Sequence, residues 1–303
     1  MPKVKPILKW IGGKTQILDL VVSKFPRVIN DYYEPFIGGA SVVLGLLQDN
    51  LIKVVGKIIV SDANEKLIFF YKNVQNNPTG LINELLELIE DYEYLNGVSV
   101  LIDRNPESYM FAMTSQESYY YYIRKRYNQL DDYSTIQASA MFLFLNKTCF
   151  RGMYREGPNG FNVPFGNYKS IMHCSDGIED FSRLVCNVEF RCCDFNVILQ
   201  SGLNTGDFIY LDPPYAVETP TSFVGYTRDG FNTDCNQVLF DSIKKLDCEW
   251  IMSNSSVKIV LYAFSEYNIE FVSCKRSINS SRPESRVMEV LVNNFRKIVY
   301  VQV

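Results

Sequence analysis

The sequence lacks the side chains from which most protein metal sites are built. Among 303 residues there is one histidine, His173, and the eight cysteines include no pair with C-x-x-C spacing. It also lacks an apolar run long enough to span a membrane, and residues 1–5 have neither the apolar core nor the cleavage site of a secretory signal. We therefore expect an intracellular protein with reduced cysteines, no metal and no membrane span.

The chain also lacks the excess of positive charge that is typical of many nucleic-acid-binding proteins. It has 30 basic and 34 acidic residues, which give a net charge of −4. Eight of the acidic residues lie between Leu81 and Glu117, where Arg104 is the only basic residue. The rest of the chain is slightly basic, so the overall charge does not exclude a nucleic acid as partner.

Short apolar segments indicate a doubly wound α/β fold. Lys57–Ser61, Phe208–Leu211 and Trp250–Ser253 each end at a polar or turn residue, which is typical of buried parallel strands. Tyr32–Phe36 and Ala40–Gln48 add a strand, a glycine turn and a helix. In such a sheet the ligand binds at the carboxyl ends of the strands.

A long segment with a different pattern interrupts this α/β organisation. Helical periodicity marks Leu81–Tyr94, Tyr119–Gln129 and Ile136–Leu145, and Gly157-Pro158-Asn159-Gly160 predicts a turn between two extended arms. We therefore predict one α/β domain made of residues 1–71 and 171–303. A mainly helical domain of residues 72–170, with a hairpin near 150–165, is inserted into it.

The most specific motif is Asp212-Pro213-Pro214-Tyr215, directly after the strand Phe208–Leu211. An exocyclic amine on a base is a poor nucleophile, and Asp212 supplies a carboxylate that can accept a hydrogen bond from it. The prolines stiffen the loop and leave the Pro213 carbonyl free as a second acceptor. The Tyr215 ring can stack on a base that has left the helix. The competing interpretation is a proline-stiffened turn with a capping aspartate.

Two further segments have the residue types of a nucleoside site. Pro35 and Phe36 precede Gly38-Gly39, where small residues let a ligand approach the backbone, although many α/β turns contain such glycines. Asp62 lies 23 positions beyond Gly39, after the strand Lys57–Ser61, where it can accept hydrogen bonds from ribose hydroxyls.

Near the amino end, Gly13-Lys14-Thr15 resembles the end of a phosphate-binding P-loop, but Leu8 stands where that motif requires its first glycine. A nucleotide triphosphate site is therefore excluded. Trp10 could instead lie against a sulfonium ion while Lys14 meets a carboxylate, or Trp10 could be a core anchor.

Taken together, these segments closely resemble the Dam-type DNA adenine methyltransferases (D12 class, alpha group) over nearly the whole chain. The segments that carry the resemblance are Lys9–Lys14, Pro35–Gly39, Ser61–Asn64, Leu145–Phe150, Phe161–Gly166 and Asp212–Tyr215. The resemblance implies a Rossmann-like sheet that binds S-adenosylmethionine, interrupted by a target-recognition domain that binds double-stranded DNA.

The resemblance also implies roles for individual residues. The catalytic motif would be Asp212, Pro213, Pro214 and Tyr215. The cofactor would contact Trp10, Lys14, Pro35, Phe36, Gly38, Gly39, Asp62, Asp194, Phe195 and Asp212. The DNA would contact Lys147, Arg151, Met153, Arg155 and Pro164. Arg155 would read guanine, and Lys147 would bind a phosphate.

The implied activity is methyl transfer to adenine N6 in a short palindromic site, by base flipping and without a covalent enzyme intermediate. Family members that recognise GATC usually have Asn-Gly where this chain has Arg151-Gly152, so another four-base site such as CATG stays open. A restriction endonuclease that cuts the same site is a further partner compatible with the resemblance. Cytosine-N4 methylation and non-catalytic DNA binding are the competing functions, and the oligomeric state stays open.

Overall fold

The computed structural model of the chain describes residues 3–217, 231–275 and 286–296. Within these ranges no helix is both long and apolar enough to cross a membrane. In the same part of the chain, no group of three or more histidine, cysteine, aspartate or glutamate side chains is placed to hold a metal ion.

The described residues form helices and strands that alternate along much of the chain. The helices are α1 (Leu18–Ser23), α2 (Ser41–Gln48), α3 (Glu65–Asn76), α4 (Pro78–Tyr94), α5 (Tyr109–Ala112), α6 (Gln116–Asn128), α7 (Ile136–Thr148), α8 (Ile178–Leu184), α9 (Phe195–Leu199), α10 (Thr233–Ile243) and α11 (Lys258–Ala263). The strands are β1 (Val28–Ile29), β2 (Tyr32–Glu34), β3 (Lys53–Val54), β4 (Ile58–Asp62), β5 (Glu156–Gly157), β6 (Gly160–Phe161), β7 (Val188–Cys192), β8 (Phe208–Leu211), β9 (Glu249–Ser255), β10 (Asn268–Lys275) and β11 (Arg286–Asn293).

A central seven-stranded sheet organises the molecule in the order β10-β11-β9-β8-β2-β4-β7. The strands from β9 to β7 are parallel, and β11 runs antiparallel between β9 and β10. The chain leaves β2 towards β4 and β7, and later adds β8 and β9 on the other side of β2. In open α/β sheets, ligands bind at the carboxyl ends of the strands where the strand order reverses in this way, here the ends of β2, β4 and β8.

Apolar side chains cover both faces of the sheet. Phe208 and Tyr210 of β8 belong to one buried cluster. Ile209 and Leu211, which alternate with them, belong to a second cluster on the opposite face. The predicted α/β class with buried parallel strands is therefore confirmed.

Residues between α3 and α8 form a helical layer and a short hairpin. Helix α7 is buried along most of its length between α4 and α6. Helix α4 begins earlier than the predicted Leu81, because Pro78 occupies its first turn and the Asn77 side chain accepts the Gly80 N–H at 3.0 Å. Helix α3 runs through the predicted boundary at 71/72, so the layer continues directly from the α/β part.

The predicted turn at residues 157–160 joins two short antiparallel strands. Glu156 pairs with Phe161 and Gly157 pairs with Gly160 in β5 and β6. Gly160 has a φ of 89°, which a residue with a side chain adopts only with strain. The predicted turn thus lies between two strands of two residues each.

Candidate active site

The ends of β2, β4 and β8 bring the sequence motifs of the α/β part together. The glycine turn after β2 crosses to the end of β4, where the Gly38 N–H donates to Asp62 Oδ2 at 3.2 Å. The Tyr71 hydroxyl of α3 donates to the Gly38 carbonyl at 2.7 Å and fixes the turn from the other side. The turn after β2 is therefore held by the end of β4 and by helix α3.

Asp212 and Lys14 form a largely buried ion pair at this edge. Lys14 Nζ lies 2.6 Å from Asp212 Oδ2, and the two side chains are 5% and 18% exposed. Burial raises the pKa of Asp212 to about 6, although the nearby Lys14 ammonium opposes the shift. Asp212 Oδ1 is buried and accepts no hydrogen bond from the described residues. One carboxylate oxygen is thus fixed by lysine while the other can accept a hydrogen bond from a ligand.

Asp62 is the second carboxylate at the edge of the sheet. Besides Gly38 N–H, it accepts a hydrogen bond from the Asn64 N–H at 2.9 Å. Burial raises the pKa of Asp62 to about 6, while these backbone donors lower it. These two backbone donors hold the Asp62 side chain in one orientation at the end of β4.

Trp10 packs directly on the glycine turn. A Cβ atom placed on Gly38 would lie 2.9 Å from the Trp10 ring, and a Cβ on Gly39 would lie 2.9 Å from Trp10 Cβ. Either contact is too close for a carbon pair, so the tryptophan requires glycine at both positions. The ring also stacks on Tyr154 of the hairpin segment, with centroids 5.4 Å apart.

The loop after β8 is held by side chains from β9 and β11. The Tyr215 hydroxyl donates to Glu289 Oε2 at 2.8 Å, and the Ala216 N–H donates to Asn254 Oδ1 at 3.0 Å. The Ser255 hydroxyl donates to the Ala216 carbonyl at 2.6 Å. Asn254, Ser255 and Glu289 were not predicted from sequence, because Asn254 and Ser255 belong to an ordinary polar run at the end of β9 and Glu289 is a single acidic residue in β11, with no motif around either. Pro213 is buried and Pro214 half-buried beneath this clamp.

Glu34 is another polar group of the site that sequence reasoning missed. It is 2% exposed, and its Oε2 accepts the Tyr32 hydroxyl at 2.7 Å. Burial raises the pKa of Glu34 to about 8, with a further contribution from the Asp212 carboxylate. Glu34 is therefore mostly neutral at pH 7, and Lys14 is left with Asp212 as its ionised partner.

Phe195 and Asp194 lie at the start of α9. The Phe195 ring is buried and stacks on Phe36, with centroids 5.4 Å apart. Asp194 caps the helix by accepting the Asn196 N–H at 2.9 Å. The two rings form an apolar wall beside the turn after β2. The role of Asp194 as a partner of the cofactor stays a prediction.

The residues predicted to contact DNA lie mainly on the outer side of the hairpin segment. Arg155 is exposed, and its Nε donates to Asn162 Oδ1 at 2.6 Å. The Arg151 guanidinium lies 5.2 Å from the centre of the Phe150 ring. Met153 is half-buried and Pro164 is exposed. Arg155 and Pro164 are thus exposed while Arg151 and Met153 are half-buried, and the contacts of all four with DNA stay predictions.

Lys147 lies deeper than the other predicted DNA contacts. Its ammonium donates to the Ile7 carbonyl, and burial lowers its pKa. A phosphate contact would require this side chain to exchange its present partner.

The hairpin segment is anchored to α6 by residues that the sequence did not single out. The Tyr120 hydroxyl and the Arg124 guanidinium both donate to the Val163 carbonyl, at 2.6 Å and 3.1 Å. Asn128 Nδ2 donates to the Phe161 carbonyl and Asn128 Oδ1 accepts the Phe161 N–H, both at 2.9 Å. A buried helix thus fixes the returning arm.

Comparison with known proteins yields matches along nearly the whole chain. A family model described as D12 class N6 adenine-specific DNA methyltransferase matches residues 10–278. The chain is 34% identical to the type II methyltransferase M.MjaIII of Methanocaldococcus jannaschii, across 97% of this chain and 100% of the relative. It is 30% identical to the DNA adenine methylase of Haemophilus influenzae, across 94% of this chain and 92% of the relative. Identity to the type II methyltransferase M1.LlaDCHI of Lactococcus lactis is 28%, across 96% of both.

Proposed function

The chain belongs to the D12 class of N6 adenine-specific DNA methyltransferases, and we propose that it methylates one adenine of a short palindromic site in duplex DNA. The methyl donor is S-adenosylmethionine, and the target base leaves the helix to reach the edge of the sheet. Residues 72–170 act as the target-recognition domain.

The proposal rests on Asp212 Oδ1, which is buried and accepts no hydrogen bond from the described residues. A buried carboxylate oxygen without a partner is costly unless a ligand donates to it, and the exocyclic amine of adenine is such a donor. Lys14 and the loop clamp hold Asp212 before substrate arrives, so little reorganisation is needed during the reaction. Asp212 accepts one N–H of the amine, and the Tyr215 ring stacks on the base.

The other residues of the edge fit the proposed cofactor. Asp62 has a fixed carboxylate for ribose hydroxyls, and Phe36 with Phe195 provides an apolar surface for an adenine ring. When bound, S-adenosylmethionine supplies a methyl group whose bond to sulfur breaks as the bond to N6 forms. The proton that leaves the nitrogen passes to Asp212 or to water.

We propose direct transfer without a covalent enzyme intermediate. Burial raises the pKa of Cys149 to about 12, so this cysteine of the family motif is a neutral thiol at pH 7. A neutral, buried thiol is a poor nucleophile, and Asp212 suffices to assist an amine.

The recognition site is a four-base palindrome, either GATC or another such as CATG, with Arg155 reading guanine. Two similar proteins are named type II methyltransferases, which supports a restriction endonuclease acting at the same site.

Sequencing of plasmid DNA from cells that express the chain tests base and site together. We expect N6-methyladenine at one fixed position of one palindrome, and resistance of the plasmid to endonucleases that cut there. N4-methylcytosine, or unmodified DNA from cells with folded protein, would contradict the proposal.

A further inference from the structure

Burial alternates along the segment from Arg151 to Arg155. Of the residues proposed to contact DNA, Arg155 is exposed and Arg151 and Met153 are half-buried, whereas Gly152 and Tyr154 are buried. A side chain on Gly152 would collide with the Lys9 side chain, so this position faces the amino-terminal cofactor motif. One stretch of backbone thus connects the proposed DNA surface with the edge of the sheet.

Tyr154 meets the cofactor motif through Trp10. The two rings stack with centroids 5.4 Å apart and planes 24° apart. On the other side, Trp10 packs so close to the Gly38-Gly39 turn that a Cβ atom on either glycine would lie 2.9 Å from it. Trp10 therefore lies between the turn and Tyr154, and a shift of Tyr154 changes the wall of the proposed cofactor site.

Tyr154 is also bonded to its own hairpin. Its hydroxyl donates to Glu156 Oε1 at 2.6 Å, and Glu156 forms an ion pair with Lys66 of α3. Phe142 and Phe161 pack on the Tyr154 ring, with centroids 5.7 Å and 5.9 Å away. The Tyr154 ring therefore packs on both the hairpin and α7, and its hydroxyl is linked through Glu156 to α3.

A second connection runs beside the ring stack. Asn146 Oδ1 accepts the Lys9 N–H at 2.9 Å, while its Nδ2 donates to the Lys9 carbonyl at 2.8 Å and to the Gly152 carbonyl at 3.3 Å. One buried amide thus joins the backbone before Trp10 to the backbone before Tyr154. The amino-terminal segment around Trp10 and the segment around Tyr154 are therefore joined by both the ring stack and the Asn146 hydrogen bonds.

We propose that Tyr154 couples the binding of duplex DNA to the binding of S-adenosylmethionine. This inference rests on the proposed function, because it requires both ligands. DNA that holds the outer side of the hairpin keeps Tyr154 on Trp10 and completes the cofactor site. By linkage, the cofactor strengthens DNA binding by the same factor, and couplings of this kind are about 5- to 150-fold.

Calorimetry with sinefungin, an analogue that cannot donate a methyl group, measures this factor. Sinefungin is titrated into the wild-type enzyme alone, and into the enzyme saturated with a duplex that contains its recognition site in unmethylated form. We expect DNA to lower the sinefungin Kd at least about fivefold. Tyr154→Phe keeps the ring stack and should keep most of the coupling. Tyr154→Leu and Tyr154→Met should bring the factor below about twofold.

Phe165→Leu is the matched control, because Phe165 ends the same segment but packs on Tyr120. It should retain the wild-type factor. Equal sinefungin affinity with and without DNA in the wild-type enzyme, or unchanged coupling in folded Tyr154→Leu or Tyr154→Met, would overturn the inference. Wild-type protein that methylates no adenine would instead overturn the proposed function, so the two failures are distinguishable.

Discussion

The loop after β8 and the hairpin segment differ in how their functional side chains are held. In the loop, Asp212 is paired with Lys14, and Tyr215 is bonded to Glu289. In the hairpin, Arg155 is exposed and bonded to Asn162 of the opposite arm. Methyl transfer requires side chains that are fixed before the substrate arrives. Recognition of bases in DNA instead requires exposed side chains that can exchange water for base edges. Changes in the loop should thus alter kcat, and changes in the hairpin should alter site selection.

The largest effect should follow Asp212→Asn. The variant keeps the shape of the side chain but loses the charge that pairs with Lys14 and favours positive charge on the amine. We expect kcat to fall by about 10²–10³-fold or more, with DNA affinity within about twofold of wild type. Single-turnover methylation and fluorescence anisotropy measure the two quantities. A wild-type rate would refute the role of Asp212.

Arg155→Ala should affect selection of the site rather than the chemical step. Loss of one bidentate contact with guanine costs about 1–3 kcal/mol of discrimination. The preference in kcat/KM for the cognate site over a site altered at that base pair should therefore fall roughly 5- to 150-fold. The comparison is made on the cognate duplex and on duplexes with single substitutions. Arg183→Ala is the control, because it removes an exposed arginine paired within α8. It should leave kcat/KM unchanged on both the cognate and the substituted duplexes. Equal discrimination in both variants would contradict guanine reading by Arg155.

The pH dependence of kcat should report on Asp212 in the loop after β8. Below the pKa of this carboxyl group, kcat should fall about tenfold per pH unit. Asp212 must be ionised to act as described, and burial places its pKa near 6. Because that pKa is raised, kcat should be lost as the pH falls through about 6 rather than through the ordinary range near 4. Lys14→Met should move the midpoint to higher pH, since the lysine lowers this pKa. A profile flat down to pH 5 would be inconsistent with an essential carboxylate of this kind.

The smallest effect should come from Glu289→Gln, which acts through Tyr215. A glutamine can still accept the tyrosine hydroxyl but without charge, so we expect kcat to fall about three- to tenfold with KM unchanged. Fluorescence of 2-aminopurine at the target position should also report weaker stacking of the flipped base. Glu249→Gln, an exposed change at the opposite end of β9, should leave both signals at wild-type values. Equal effects of both variants would remove the positioning role of Glu289.

Much of the fold was predictable because local patterns and tertiary packing agree. The uniformly apolar segment Phe208–Leu211 is a strand buried on both faces, and the turn at residues 157–160 follows its glycines. Helix α4 was predicted short because the cap formed by Asn77 lies outside its apolar repeat. Asn254 and Glu289 could not be found in this way, because their partners lie about 40 and 70 positions away in the chain.

The sequence by itself determined the α/β class, the family and the carboxylate after β8, because each depends on residue types at short spacing. Tertiary structure alone decided that Lys14 pairs with Asp212, that Glu34 is buried next to them, and that Tyr154 lies on Trp10. Those relations depend on distances between side chains far apart in sequence and on how much water reaches them. Neither quantity exists until the strands and helices have packed.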